Sequence, residues 1–183
     1  MRPTAAGGRD DLEHRATTGD PVAFGSLLRR WDHDLRGVAW AVTRDQHAID
    51  DVMQDAYERA FRGLASFDGR SSLKTWLHTI VHRTAIDRSR YEGRRRHDDI
   101  DDPAITVPET VSTATDRSAL DRLEVDDMLG SLPSDQRVAL MLTVGIGFTY
   151  DEAAEVTGDS RGTIASRVNR ARRRLQQLEV GTA

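Results

Sequence analysis

Residues 148–175 read FTYDEAAEVTGDSRGTIASRVNRARRRL, two short helices around a tight turn, the second studded with arginine. Thr149 stands at the N-cap with Glu152 three residues on, the capping-box pattern that satisfies orphan amides at a helix start. Ala153, Ala154 and Val156 form the apolar side of the first helix. The turn falls on Thr157-Gly158-Asp159-Ser160, where Gly158 can take a positive φ and Asp159 or Ser160 can cap the next helix. At 3.6 residues per turn, Ile164, Val168, Ala171 and Leu175 share the inward side and Ser166, Asn169, Arg170 and Arg173 the opposite one. Arginine bonds guanine bidentately, and serine and asparagine reach phosphates or base edges, so the outward face suits a DNA major groove. The alternative is an amphipathic helix with a solvated arginine face.

The 183 residues carry a formal net charge of -4, which would argue against nucleic acid if it were spread evenly. It is not: arginines cluster from Arg88 to Arg96 and from Arg161 to Arg174, while Asp98, Asp99, Asp101, Asp102 and Glu109 crowd the stretch between. Local basic surface governs contact with phosphate. The absence of cysteine excludes disulfides, thiolate catalysis and cysteine-ligated zinc, and leaves any redox sensing to a partner. His78 and His82 have the spacing of a zinc-binding pair, but HTIVH lacks the glutamate of a metalloprotease and no third ligand stands out. Neither an enzyme, a metal site nor a cofactor is therefore expected. No apolar run approaches the roughly 18 residues of a membrane span, and the N-terminus lacks the apolar core of a signal peptide. A cytoplasmic protein with no membrane contact of its own is expected.

Residues 1–18 are polar and without periodicity, and predict a flexible tail. Asp20-Pro21 opens a helix, followed at helical spacing by Phe24, Leu27, Leu28, Trp31, Leu35, Val38, Ala39 and Val42. A second helix spans about 46–64 with Ile49, Val52, Met53, Ala56, Ala60 and Phe61 inward. After a loop at 65–71, a third spans about 72–91 with Leu73, Trp76, Leu77, Ile80 and Ala85 inward. Periodicity then fails, and Gly93, Pro103, Pro108 and the acids indicate a linker. Helix resumes near Asp116, with Leu120, Leu123, Met128 and Leu129, and again after Leu132-Pro133, with Val138, Leu140, Met141, Leu142 and Val144. The expected fold is all-α: a helical domain over 19–96, a flexible acidic linker over 97–115, and a second helical domain over 116–179 that contains the helix-turn-helix.

Three segments in fixed order carry a family resemblance: DDVMQDAY from Asp50, FDGRSSLKTWLHTIVHRTAIDRSR from Phe67, and Leu132 to Leu175, closing on GTIASRVNRARRRL. Together they resemble the extracytoplasmic-function (ECF) group of bacterial sigma factors over about residues 20 to 178. In the first segment Asp51, Gln54, Asp55 and Glu58 lie at spacings of three and four and form one acidic helix face. The resemblance implies that this face docks on the clamp helices of the RNA polymerase largest subunit. Core contacts would extend to the polymerase flap. It also implies that the second segment binds and melts the promoter minus 10 element, with Phe67, Asp68, Ser71, Trp76, Arg83, Arg88 and Arg90 as the candidate residues. Arg83 stands where the family usually has asparagine. Carried over to the third segment, Arg161, Thr163, Ala165, Ser166, Arg167, Asn169, Arg170 and Arg173 are the candidates for the minus 35 element. Ala165 replaces a residue that is often basic, and Arg161 stands where valine or proline is common. An anti-sigma factor is the further partner implied.

A free-standing helix-turn-helix regulator, with an N-terminal domain that dimerises or senses a ligand, would account for the C-terminal segment equally well. It gives no account of the first two segments in order.

Overall fold

The computed structural model describes residues 7–98 and 126–181, and all regular structure among the described residues is helical. The first helix, α1 (Gly7–Thr17), lies inside the stretch expected to be a flexible tail. Its only apolar anchors are Leu12 and buried Ala16, one turn apart, which pack against the core, and Arg15 clamps Asp20 at 2.6 Å. A two-residue stripe is too short to register as periodicity. The Asp20 carboxylate meanwhile accepts from the amides of Val22 and Ala23 at 2.9 and 3.1 Å, starting α2 (Pro21–Thr43) as the sequence requires. Asp45 caps α3 (Gln46–Gly63), and a 3-10 turn (Leu64–Ser66) leads to α4 (Leu73–Asp98).

α4 runs past the expected end at Tyr91. Its last turns carry no apolar stripe; the pair Arg88–Glu92 at 2.5 Å and the Arg95 guanidinium 5.9 Å from the Tyr91 ring support the helix from its own surface. Phe61 differs in the other direction: expected inside, it is 62% exposed, because buried Ala60 and Leu64 carry the inward side of the chain there and leave Phe61 at its border, 6.5 Å from the Phe24 ring centroid.

The expected linker at 97–115, apart from the end of α4, and the start of the helix from 116, with Leu120 and Leu123, fall outside the described residues. From 126–130 (α5) the chain is helical again, and Pro133 precedes α6 (Ser134–Leu140). α6 widens into a π-helical turn (Met141–Gly145), with Ile146 N donating to Met141 O at 2.9 Å. The extra residue in that turn swings Val144 off the apolar side, so it is 57% exposed where burial was expected. α7 (Tyr150–Thr157) begins on the full capping box of Thr149 and Glu152, and Gly158 ends it at φ 78°. Ser160 Oγ accepts from Thr163 N at 3.1 Å and starts α8 (Arg161–Gly181). Ile164, Val168 and Ala171 are fully buried beneath it.

The two helical domains pack on one another. α4 lies on α7 and α2 on α6, and a single run of buried residues continues from Phe24 and Leu77 to Leu142 and Val168.

Candidate nucleic-acid interface

Three surfaces carry the candidate residues. On α3, Asp51, Gln54, Asp55 and Glu58 are all exposed on the side away from buried Val52, Met53 and Ala56, which is the amphipathic division expected of them. Two members are paired locally: Glu58 with Arg62 at 2.6 Å, and Asp51 with Arg88 of α4 at 3.1 Å. Arg88 also holds Glu92, so this guanidinium, one of the candidate phosphate contacts, is committed to bracing the acidic face.

At the start of α4, Phe67 and Trp76 stack at 5.4 Å with rings tilted by 58°, both half-buried. Asp68 caps its own loop, accepting from the amide of Arg70 at 3.1 Å and from its guanidinium, and these two bonds hold the carboxyl below its usual range. Ser71 is half-buried beside them. Trp76, Arg83 and Arg90 recur every seven residues, which places them on one side of α4 in a row with a spacing of about 10 Å. Arg83 and Arg90 are exposed. Aromatic rings beside exposed guanidinium groups suit an unstacked single strand, with rings for bases and charge for phosphates.

On α8, Ser166, Asn169, Arg170 and Arg173 are exposed together. Arg170 folds back on Ser166, its Nη2 3.1 Å from the hydroxyl, so the pair shares a polar network that a base edge could enter. Thr163 is tied into the N-cap through Ser160, and Arg161 stands at the helix start 3.6 Å from Asp151. A helix N-terminus with an adjacent cation favours phosphate. Ala165 is half-buried and contributes shape only. Arg167 does not join this surface. Its side chain is 20% exposed and turned inward, where it pairs with Asp135 at 3.0 Å and with Asp159. The position after Ser166 faces the adjoining helix, and two carboxylates there outcompete solvent for the guanidinium.

The histidines His78 and His82 lie between the domains. His78 Nδ1 bonds Lys74 O at 2.7 Å, its Nε2 is buried without a partner, and Phe148 meets the ring edge-on at 4.9 Å. Burial pushes both imidazoles down to about 4. Among the described residues no group of three or more His, Asp or Glu side chains could hold a metal ion. No described helix is long and apolar enough to cross a membrane.

A helix-turn-helix domain joined to an all-α domain with an acidic face and an aromatic-basic helix defines a transcription factor of the sigma type. The family described as Sigma-70 region 2 matches residues 27–95, and Sigma-70, region 4 matches residues 122–175. The ECF RNA polymerase sigma factor EcfG of Rhodopseudomonas palustris is 37% identical over 145 residues, 79% of this chain and 78% of that one. SigM of Mycobacterium tuberculosis, also an ECF RNA polymerase sigma factor, is 32% identical over 172 residues, 93% of this chain and 85% of its own. Two solved structures have similar folds. CnrH in complex with the cytosolic domain of CnrY gives a TM-score of 0.70 at 26% identity, covering 94% of this chain and 97% of that one. RpoE from Bartonella quintana, in complex with the anti-sigma factor NepR, gives 0.69 at 31% identity, covering 85% and 95%. The chain belongs to the ECF RNA polymerase sigma factors. They are subunits that recognise DNA rather than enzymes, and a free-standing regulator is not favoured.

Proposed function

We propose that this chain works in the cytoplasm by docking on core RNA polymerase through Asp51, Gln54, Asp55 and Glu58 and by reading promoter DNA with its two other surfaces. Ser166, Asn169, Arg170 and Arg173 face the minus 35 bases, with Arg161 on a neighbouring phosphate. Phe67, Asp68, Ser71 and Trp76 form the pocket edge for a base of the melted minus 10 element, and Arg83 and Arg90 follow its backbone. Arg88 braces Asp51 rather than touching DNA. The observation that carries this reading is the coexistence of an exposed acidic face on α3 and an exposed arginine face on α8 within one chain of net charge -4. One binds a basic protein surface and the other binds phosphate. An anti-sigma partner is supported by the likeness to RpoE held by NepR.

The test is run-off transcription with core enzyme, repeated with Asp51→Lys/Asp55→Lys. Exposed charges contribute little to stability, so the variant should fold normally yet lose both co-elution with core enzyme and transcript. Unchanged core binding by the folded variant would sink the assignment of this face.

A further inference from the structure

Arg29 and Arg30 stand next to each other on α2, both exposed, and belong to none of the three surfaces above. Acids follow them at the spacings where helical ion pairs form: Asp32 three residues after Arg29, and Asp34 four after Arg30. Neither pair is made. Asp32 accepts from the Tyr57 hydroxyl at 2.6 Å and from Arg36 Nε at 2.9 Å, and Asp34 pairs with Lys74 Nζ at 3.1 Å. Arg29 lies along its own helix, its Nη2 donating to Ser26 Oγ at 3.1 Å, and among the described residues neither guanidinium has a carboxylate partner. Elsewhere in the first domain Arg59 is answered by Asp87, Arg62 by Glu58 and Arg88 by Asp51. In a chain with more acids than bases, two adjacent cations whose nearest carboxylates are engaged elsewhere form a site of local positive potential.

The fold sets this site beside the minus 10 surface. Asp34 is level with Lys74, and Val42 lines one cavity with His82 and Ile86, so α2 and α4 run side by side in the same direction. Arg30 lies one turn before Asp34, about 6 Å back along the axis, and is therefore level with the loop that carries Phe67, Asp68 and Ser71. The pocket edge of Phe67 and Trp76 thus lies between two groups of cations without carboxylate partners among the described residues. Arg83 and Arg90 follow it along α4, and Arg29 and Arg30 precede it on α2. We propose that Arg29 and Arg30 bind phosphates of the melted strand, on the opposite side of the captured base from Arg83 and Arg90. This assignment rests on the minus 10 reading above. A base flipped against Phe67 and Trp76 leaves a strand running away from it on both sides, and each flank carries phosphates that attract cations. Arg83 and Arg90 serve one flank only. A single strand can turn at the flipped base and pass from α4 to α2, where a stiff duplex could not follow.

The test uses holoenzyme reconstituted from core enzyme and the full chain, on a template that the parent holoenzyme transcribes. The probe is a fluorescein-labelled single strand copying the non-template strand across the minus 10 element of that template, titrated by anisotropy over a range of salt. Glutamine keeps the helix propensity of α2, so Arg29→Gln/Arg30→Gln should co-elute with core enzyme as the parent does. It should nevertheless bind the probe at least fivefold more weakly. The slope of log affinity against log salt should shrink by about 1.4, at about 0.7 for each lost phosphate. This loss should vanish when the probe is cut back to the captured base from one end and persist when it is cut back from the other; Arg83→Gln/Arg90→Gln should show the reverse. Equal affinity and slope for parent and variant would overturn the assignment and make the pair a solvated surface. Weakened co-elution with core enzyme would overturn it too, by making the pair a contact for an acidic protein surface. Failure of the parent to transcribe any template would sink the sigma-factor reading and this assignment with it, whereas transcription by the parent with equal binding sinks this assignment alone.

Discussion

Acidification should destabilise this protein well above the range in which carboxylates titrate, through His78 and His82. Both are held near 4 in the folded chain against an ordinary value of 6.5. For His78, burial dominates; the Lys74 carbonyl and Asp34 favour the charged ring, and the Lys74 ammonium opposes it. For His82, burial again dominates; Asp159 and the Val156 carbonyl favour the charged form, and Arg83 and Arg167 oppose it. A depressed histidine value means that the unfolded chain binds more protons between the two values. The stabilisation is complete above pH 6.5 and is lost as pH falls toward 4. At pH 5 each histidine accounts for a loss of about 2 kcal/mol relative to pH 7, and the pair for about 4. With a denaturant slope of about 2 kcal/mol/M, the urea midpoint should fall by about 2 M. Asp126, whose carboxyl burial pushes up, works in the opposite direction and trims the fall. The assay is urea denaturation at pH 7 and pH 5, followed by helix circular dichroism. The variant His78→Leu/His82→Leu should lose most of the pH dependence, and His78→Leu also removes the unpartnered Nε2. Equal midpoints for the parent at the two pH values, or an unaltered fall in the double variant, would refute the reasoning.

Other expectations are smaller in scope. Arg170→Ala should cost about 1–3 kcal/mol of promoter affinity and relax preference at one minus 35 base pair, measured by competition binding of the polymerase complex; uniform weakening across sequences would make it a phosphate contact instead. Arg167→Ala should lower the stability of the folded chain by about 1–2 kcal/mol through Asp135 and Asp159, while leaving sequence preference unchanged in the same assay. Thr149→Ala removes the side-chain half of the capping box, the hydroxyl that accepts from Glu152 N, while the Thr149 amide can still donate to Glu152, and should cost about 1 kcal/mol in thermal or urea unfolding.

What the sequence revealed and what it hid follow from the range of the forces involved. The caps at Asp20, Thr149 and Ser160, the turn at Gly158 and the buried side of α8 were all legible, because each depends on residues within one or two turns of itself. The surface residues Ser166, Asn169 and Arg170 were legible for the same reason: their outward direction is fixed by the inward direction of Ile164, Val168 and Ala171. Arg167 was not. A helical wheel places it near the border of the two faces, and only the positions of Asp135 and Asp159 decide that it turns inward. The end of α4 and the whole of α1 escaped because helices carried by ion pairs or by two small anchors leave no apolar stripe to detect.

The interface between the domains escaped for a deeper reason. Its polar members, His78, His82, Arg137 and Lys74, sit at helical spacing, where polar residues read as solvent-facing. Each is accommodated by a partner that only the folded chain supplies: a carbonyl of α2 for Arg137, the ring of Phe148 for His78, and Asp34 for Lys74. These polar contacts sit within the apolar core that Leu142 and Phe148 continue from one domain to the other. Their groups retain favourable states in water, so separating the domains returns Arg137 and the histidines to hydration and recovers part of the contact energy. Apolar contacts such as those of Leu142 and Phe148 recover nothing of this kind on separation, so the polar members lower the cost of parting the domains relative to an apolar seam of equal area.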